Sequence, residues 1–287
     1  MTAEQYCPVS GMRRILLATD GSIYSEGAIR EAINFAKKCS SKLYAMSVVE
    51  IRTDYEAVSH QEVEEAIEIE VGNHLETVKS RAANEGLECE ITISHGDPYQ
   101  DIVDEAESKN VDMIVVGRRG TKGLKKLLVG DVAAKVIGYA SCKVLVVPKA
   151  ANITCKNILV ATDGSSNSEA AVTEAISIAK QCGSKIIALS SIRSIDEQEN
   201  ATANVNKVIE LAQKENVQVE ALTPMGRSYD AVVEVAGGRG VDLIVVGTYG
   251  RSGLKKMLMG SATERVIGLA GCAVMIVKGE GGKAATV

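Results

Sequence analysis

The segment Ile15-Leu-Leu-Ala-Thr-Asp-Gly-Ser22 returns as Ile158-Leu-Val-Ala-Thr-Asp-Gly-Ser165, an offset of 143 residues. Four consecutive apolar residues without alternation suit a strand covered on both faces. The Thr-Asp-Gly-Ser that follows supplies turn formers and a helix cap. Beyond it the apolar stripe also repeats: Ala28, Ile29, Ala32, Ile33 and Ala36 answer to Ala171, Val172, Ala175, Ile176 and Ala179. That spacing is one face of an α-helix. An internal repeat of this length means two copies of one folding unit.

Further along, Val111-Asp-Met-Ile-Val-Val-Gly117 returns as Val241-Asp-Leu-Ile-Val-Val-Gly247, now at an offset of 130, so the second copy is 13 residues shorter in between. The difference falls in an acidic stretch that predicts a long helix over residues 62–85, cut in the second copy to about 200–214. With Pro148-Lys-Ala-Ala-Asn152 as connector, the chain divides into domains 1–151 and 152–287. Short apolar runs alternate with helical stretches in each copy, the pattern of βα units on a parallel sheet. Strands are expected over 13–19, 42–49, 88–94, 113–116 and 143–147. Such sheets bind ligands at the carboxyl ends of the strands where the strand order reverses.

Composition narrows the function classes. A net charge of -5 offers no general attraction for nucleic acid, and 3% aromatics with no Trp leave little to stack bases on. No apolar run approaches the roughly 20 residues of a membrane helix. Residues 1–12 lack a basic-then-apolar signal pattern, so the expected location is cytoplasmic. Seven cysteines occur without CxxC or Cys/His spacing. Cys39 matches Cys182 at the ends of similar helices, and Cys142 matches Cys272 before similar strands; they are expected to be free packing thiols. His60, His74 and His95 have no counterparts in the second copy, which argues against a histidine-based site.

The loop after the fourth strand carries the chemistry. In the second copy Gly247-Thr-Tyr-Gly250-Arg251 leads, with nine residues between Gly250 and the next glycine, to Gly260-Ser261-Ala262-Thr263 at a helix start; the first copy keeps Gly117-Arg118-Arg119-Gly120 and Gly130 but continues Asp131-Val132-Ala133. Glycines let backbone approach a ligand, and free N–H groups at a helix start favour phosphate. Asp20 and Asp163 either contact a ligand or only brace the turn and cap the helix. Ser261 and Asp131 are also ordinary caps. Lys125-Lys126 and Lys255-Lys256 read as a solvated helix face, leaving Arg118, Arg119 and Arg251 as the better phosphate ligands.

Two GxxG-nine-residues-G frames, in register with two Ala-Thr-Asp-Gly-Ser turns, resemble the ATP-binding signature of the universal stress protein family. The resemblance runs from about Arg13 to Val277. It implies two tandem Rossmann-like domains of the adenine nucleotide alpha hydrolase type, each with five parallel strands in the order 3-2-1-4-5 and helices on both faces. It implies ATP or AMP as ligand, with Mg a candidate metal at Asp163. The implied contacts are Ala161, Asp163, Ser191, Val246, Gly247, Gly250, Arg251, Gly260, Ser261, Ala262 and Thr263 in the second copy. Those in the first are Ala18, Asp20, Val48, Gly117, Arg118, Gly120, Gly130, Asp131 and Val132. Asp131 and Ala133 depart from the pattern, which puts phosphate binding by the first copy in question. The resemblance further implies pairing of the halves through their last strands, residues 143–147 and 273–277, and a homodimer.

The expected function is nucleotide-dependent regulation during stress, without efficient catalysis. The alternatives are a slow Mg-dependent ATPase and a ligand-free scaffold. Neither loop repeats a His or Glu suited to act as base, and the P-loop ending Gly-Lys-Ser/Thr is absent.

Overall fold

The computed structural model describes residues 7–9, 11–50, 60–119, 129–248 and 259–279, with side chains described outside 60–64. The first half runs β1 (Arg14–Ala18), α1 (Glu26–Cys39), β2 (Lys42–Glu50), α2 (His60–Asn84), β3 (Cys89–Gly96), α3 (Pro98–Ser108), β4 (Met113–Gly117), α4 (Asp131–Tyr139) and β5 (Lys143–Val147). The second half runs β6 (Asn157–Ala161), α5 (Ser166–Cys182), β7 (Lys185–Leu189), α6 (Gln198–Lys214), β8 (Gln218–Leu222), α7 (Ser228–Gly238), β9 (Leu243–Gly247), α8 (Ser261–Leu269) and β10 (Ala273–Val277). The fold is α/β, as the alternation of apolar runs and helical stretches led us to expect. Of the 13 residues by which the copies differ, eight lie in α2 against α6, where the sequence put the difference, and four lie in the longer β2 against β7.

All ten strands form one sheet in the order β3-β2-β1-β4-β5-β10-β9-β6-β7-β8. Each half is parallel in the order 3-2-1-4-5. Because side chains alternate along a strand, Ile15 and Leu17 enter one core, shared with α1, α2, α5 and α6, while Leu16 and Ala18 enter the other, shared with α3, α4, α7 and α8. This two-sided burial is why the strand sequences read as uninterrupted aliphatic runs.

The halves meet where β5 and β10 pair antiparallel, with Val144 opposite Ile276, Leu145 opposite Met275 and Val146 opposite Val274. Among the described residues, three charged side chains reach across this seam. Lys143 Nζ lies 2.8 Å from the largely buried Glu174 carboxylate of α5. Arg118 donates from Nη1 to the Ala270 carbonyl at the end of α8, 2.7 Å away. Lys278 donates from Nζ to the carbonyls of Gly138, at 2.9 Å, and Ala140 at the end of α4. A cation at a helix C-terminus meets unsatisfied carbonyls and the negative end of the dipole.

One expectation fails. Cys39 is not a free packing thiol: it forms a disulfide with Cys7, across 32 residues of sequence. Neither spacing nor repetition signalled this, because Cys7 has no counterpart in the second copy and reaches Cys39 only once Val9 and Met12 are buried beside α1. Cys142 and Cys272 do precede β5 and β10 as free thiols, and burial pushes each up to about 11.

Replacing Lys143 by Met strands the Glu174 carboxylate. A fully buried pair broken on one side costs ~3–5 kcal/mol; with 27% of the Lys143 side chain exposed, we expect about 2 kcal/mol after solvent screening. Lys143→Met/Glu174→Leu should recover most of it. Urea unfolding of the parent and both variants measures this, and an unchanged midpoint in the single variant would show that the pair contributes nothing.

Candidate functional site

Both copies build the first loop from the same bonds. Thr19 and Thr162 directly follow their strands, and their hydroxyls accept from the Gly21 and Gly164 amides at 3.3 and 3.2 Å. Gly21 and Gly164 hold φ of 73° and 74°, a left-handed backbone that side chains resist. Asp20 Oδ1 accepts from Ser22 N at 3.1 Å, and Asp163 Oδ1 accepts from Ser165 N at 3.1 Å and from Ser165 Oγ at 2.6 Å. Each Asp therefore braces its own turn, the plainer of the two roles expected from sequence, and this fixes the direction of its carboxylate.

The first copy adds a residue that sequence reasoning set aside. His74 of α2 lies behind the turn, Nε2 3.0 Å from Thr19 Oγ1, with its ring against Gly21. Ser25 Oγ donates to the Ser22 carbonyl, so it accepts the Thr19 proton, which leaves His74 Nε2–H as the donor to Thr19. Burial holds the imidazole below its ordinary value, against the pull of Asp20 and Glu26. The matching position of α6 holds Asn204, which donates to Ser190 Oγ, so the histidine has no counterpart in the second copy.

The second loop leaves an adjacent strand, since β1 pairs β4 and β6 pairs β9. Its ends are pinned identically: Gly130 N donates to Arg118 O and Gly260 N to Thr248 O, both at 2.9 Å. Gly130 and Gly260 precede α4 and α8 in extended conformation without a side-chain cap. The first amides of those helices are thus left uncapped by side chains, in the pattern that receives anions. Gly117 and Gly247 have a structural requirement of their own. A Cβ on Gly247 would lie 2.7 Å from the Asn167 backbone, and one on Gly117 would lie 3.1 Å from the Tyr24 carbonyl. They let the first turn of α5 and the segment leading into α1 close on the strand ends.

Several proposed phosphate contacts are otherwise engaged. Thr263 Oγ1 donates to the Gly247 carbonyl at 3.1 Å, tying α8 to β9. The Arg118 guanidinium points across the seam to Ala270, and burial together with Arg119 lowers its pKa. Arg119 Nε is buried without a hydrogen-bond partner among the described residues. Asp131 is exposed and pairs with Lys135 at 3.0 Å, one helical turn on. Val132 is exposed at the same helix start, whereas Ser261 is exposed and Ala262 half-buried. Gly120, Gly250 and Arg251, and the two Lys-Lys pairs, lie outside the described residues.

The side expected to face adenine is formed at the ends of β2 and β7. Val48 and Ser191 are half-buried, each preceded by a buried serine. Ser47 Oγ donates to the Thr19 carbonyl at 2.6 Å, and Ser190 Oγ accepts from Asn204 at 3.2 Å. Ala18 and Ala161 close the neighbouring strands, but Val246 packs into the core, so only its backbone is available to a ligand. Among the described residues no group of three or more His, Cys, Asp or Glu side chains is arranged to hold a metal. A divalent ion at Asp163 would have to share its coordination with a ligand's phosphates.

The geometry defines a tandem doubly wound α/β protein in which an Asp-braced turn and a glycine-preceded helix start follow neighbouring strands in each half. The model of the Universal stress protein family matches residues 11–148 and 154–278. A universal stress protein of Methanocaldococcus jannaschii is 37% identical over 145 residues, 48% of this chain and 82% of that protein. One from Mycolicibacterium smegmatis is 27% identical over 285 residues, 92% of this chain and 96% of its own length. In fold, the chain is similar to the crystal structure of a universal stress protein from Archaeoglobus fulgidus, with a TM-score of 0.76 and 22% identity over 92% of this chain and 98% of that one. The chain belongs to the universal stress protein family.

Because His74 is held below 6.5, the folded state favours neutral imidazole; its contribution is complete above pH 6.5 and lost as pH falls through the lowered value. Thermal midpoints measured between pH 7 and 5 should fall more steeply for the parent than for His74→Gln. Gly247→Ala should destabilise by ~1–3 kcal/mol through overpacking, whereas Gly237→Ala in α7, where an added Cβ meets nothing within 4 Å, should stabilise by ~0.5–1 kcal/mol. Chemical unfolding of the two glycine variants tests the difference in sign.

Proposed function

We propose that this protein binds an adenine nucleotide, ATP or AMP, and acts by binding rather than by turnover. The observation that carries the reading is the recurrence, twice in one chain and after neighbouring parallel strands, of an Asp-braced turn and a helix start left without a side-chain cap. Backbone amides at 261–263 and 131–133 would receive phosphates, Asp163 and Asp20 the ribose or a phosphate-bound magnesium, and the backbone at Ser191 and Val48 the base. Binding would then set the contacts of a regulatory protein during stress. The division at 151/152, the pairing of the halves as an internal dimer and a further homodimer belong to the same reading.

The two copies should differ. Ser261 brings a neutral hydroxyl to its helix start and Asp131 a carboxylate. Lys135 draws that carboxylate outward and offsets part of its charge. We therefore expect the second copy to bind ATP more tightly, by up to about tenfold, equivalent to ~1.4 kcal/mol. Calorimetry on the whole chain, with ATP or AMP and with or without magnesium, measures it. Asp131→Ser should tighten the weaker site and Ser261→Asp should weaken the stronger one. Equal sites unmoved by either change would mean that these helix starts do not face phosphate. Mass spectrometry of small molecules released from the purified protein identifies the resident nucleotide.

A further inference from the structure

Cys39 and Cys182 occupy the same place in the two copies, the last residue of α1 and of α5, and each meets a second cysteine. The partners are unrelated in position. Cys39 is joined to Cys7, from the segment before β1, whereas Cys182 is in hydrogen-bond contact with Cys155, from the segment before β6. The residue that matches Cys155 in the first copy is Met12, as the surrounding bonds show: Ser41 Oγ donates to the Met12 carbonyl and Ser184 Oγ to the Cys155 carbonyl. Two different routes therefore bring a sulfur to the same helix end, one of them already covalent.

We propose that Cys155 and Cys182 are a reversible dithiol/disulfide site, with Cys182 the attacking sulfur and a low-molecular-weight disulfide the oxidant. Accessibility sets the order: Cys182 is partly exposed, and Cys155 is buried behind it at 1%. Cys155 is also fixed in place, with its amide donating to Asp242 Oδ1 at 2.9 Å and its carbonyl held by Ser184. The hydrogen bond from Cys155 and the Lys38 ammonium hold the Cys182 thiol below its ordinary value. That same bond and burial push Cys155 up, so the proton stays on Cys155 and the nucleophile is Cys182.

In the first step the Cys182 thiolate attacks the small disulfide, forming a mixed disulfide and releasing one thiolate. Cys155 then attacks Cys182 Sγ, giving up its proton and expelling the second thiol. The small disulfide is reduced to two thiols and the protein gains one bond. Its effect is to fasten the segment between the halves to the far end of α5, as Cys7–Cys39 fastens the N-terminal segment to α1.

The full chain, equilibrated with glutathione from reduced to oxidised, alkylated under denaturing conditions and mapped by peptide mass spectrometry, tests this. Oxidation should produce a peptide linking Cys155 to Cys182 while Cys89, Cys142 and Cys272 stay alkylated, and should raise the thermal midpoint. Cys155→Ser should accumulate glutathione on Cys182, and Cys182→Ser should leave Cys155 unmodified. Full alkylation of Cys182 in oxidised glutathione would overturn the site. A glutathione adduct on Cys155 in Cys182→Ser would overturn the order of attack. The parent protein alone decides the first point, whichever variants fold.

Discussion

The architecture depends on the antiparallel contact between β5 and β10. In every other pairing of the sheet the strands run parallel, as βα units require, and each half alone would end in an exposed aliphatic strand, Lys143–Val147 or Ala273–Val277. Such an edge invites association. Joining the two edges removes both and reverses strand direction at the seam. The carboxyl strand ends of the two halves therefore open on opposite ends of one sheet, and the two candidate crevices face away from each other.

Within each half, packing rather than ligand geometry dictates much of the glycine pattern. Gly117 and Gly247 permit the approach of the next layer, and Gly27 lets the segment after β5 lie on α1, since a Cβ there would fall 2.3 Å from the Pro148 carbonyl. The fixed spacing that looks like a binding signature is thus partly a record of close backbone contacts. The two explanations are compatible, because a strand end reached closely by a helix start is also where a phosphate meets several amides.

The fold was readable because its signals are periodic and repeated. Ile15–Ala18 against Ile158–Ala161 and the stripes of α1 and α5 specify strand, helix and two-sided burial without tertiary information. For the candidate site, the sequence made the turns and helix starts legible but not the side-chain bonds. Thr263 and Arg118 were assigned to phosphate by position, but the hydroxyl bonds to Gly247 and the guanidinium to Ala270. These are long-range choices that no local pattern encodes. Thr19 with Ser25, and Thr162 with Ser168, form buried hydroxyl pairs at 2.9 and 3.2 Å. The repeat displayed them, but as ordinary turn residues they drew no notice. Cys7 and His74 escaped for the opposite reason, being unrepeated.

The seam cations carry a consequence for how such a chain can change. In a dimer of identical subunits every interfacial contact occurs twice, so a cap on one helix end is necessarily the cap on the other. Here α8 is closed by an arginine that follows β4, and α4 by a lysine that follows β10; the matching positions hold Thr248 and Pro148. Covalent fusion has released the halves from two-fold symmetry. Each needs to supply only one of the two cations, and the vacated positions are open to other uses. One half can thus diverge in its loops while the shared sheet keeps it folded.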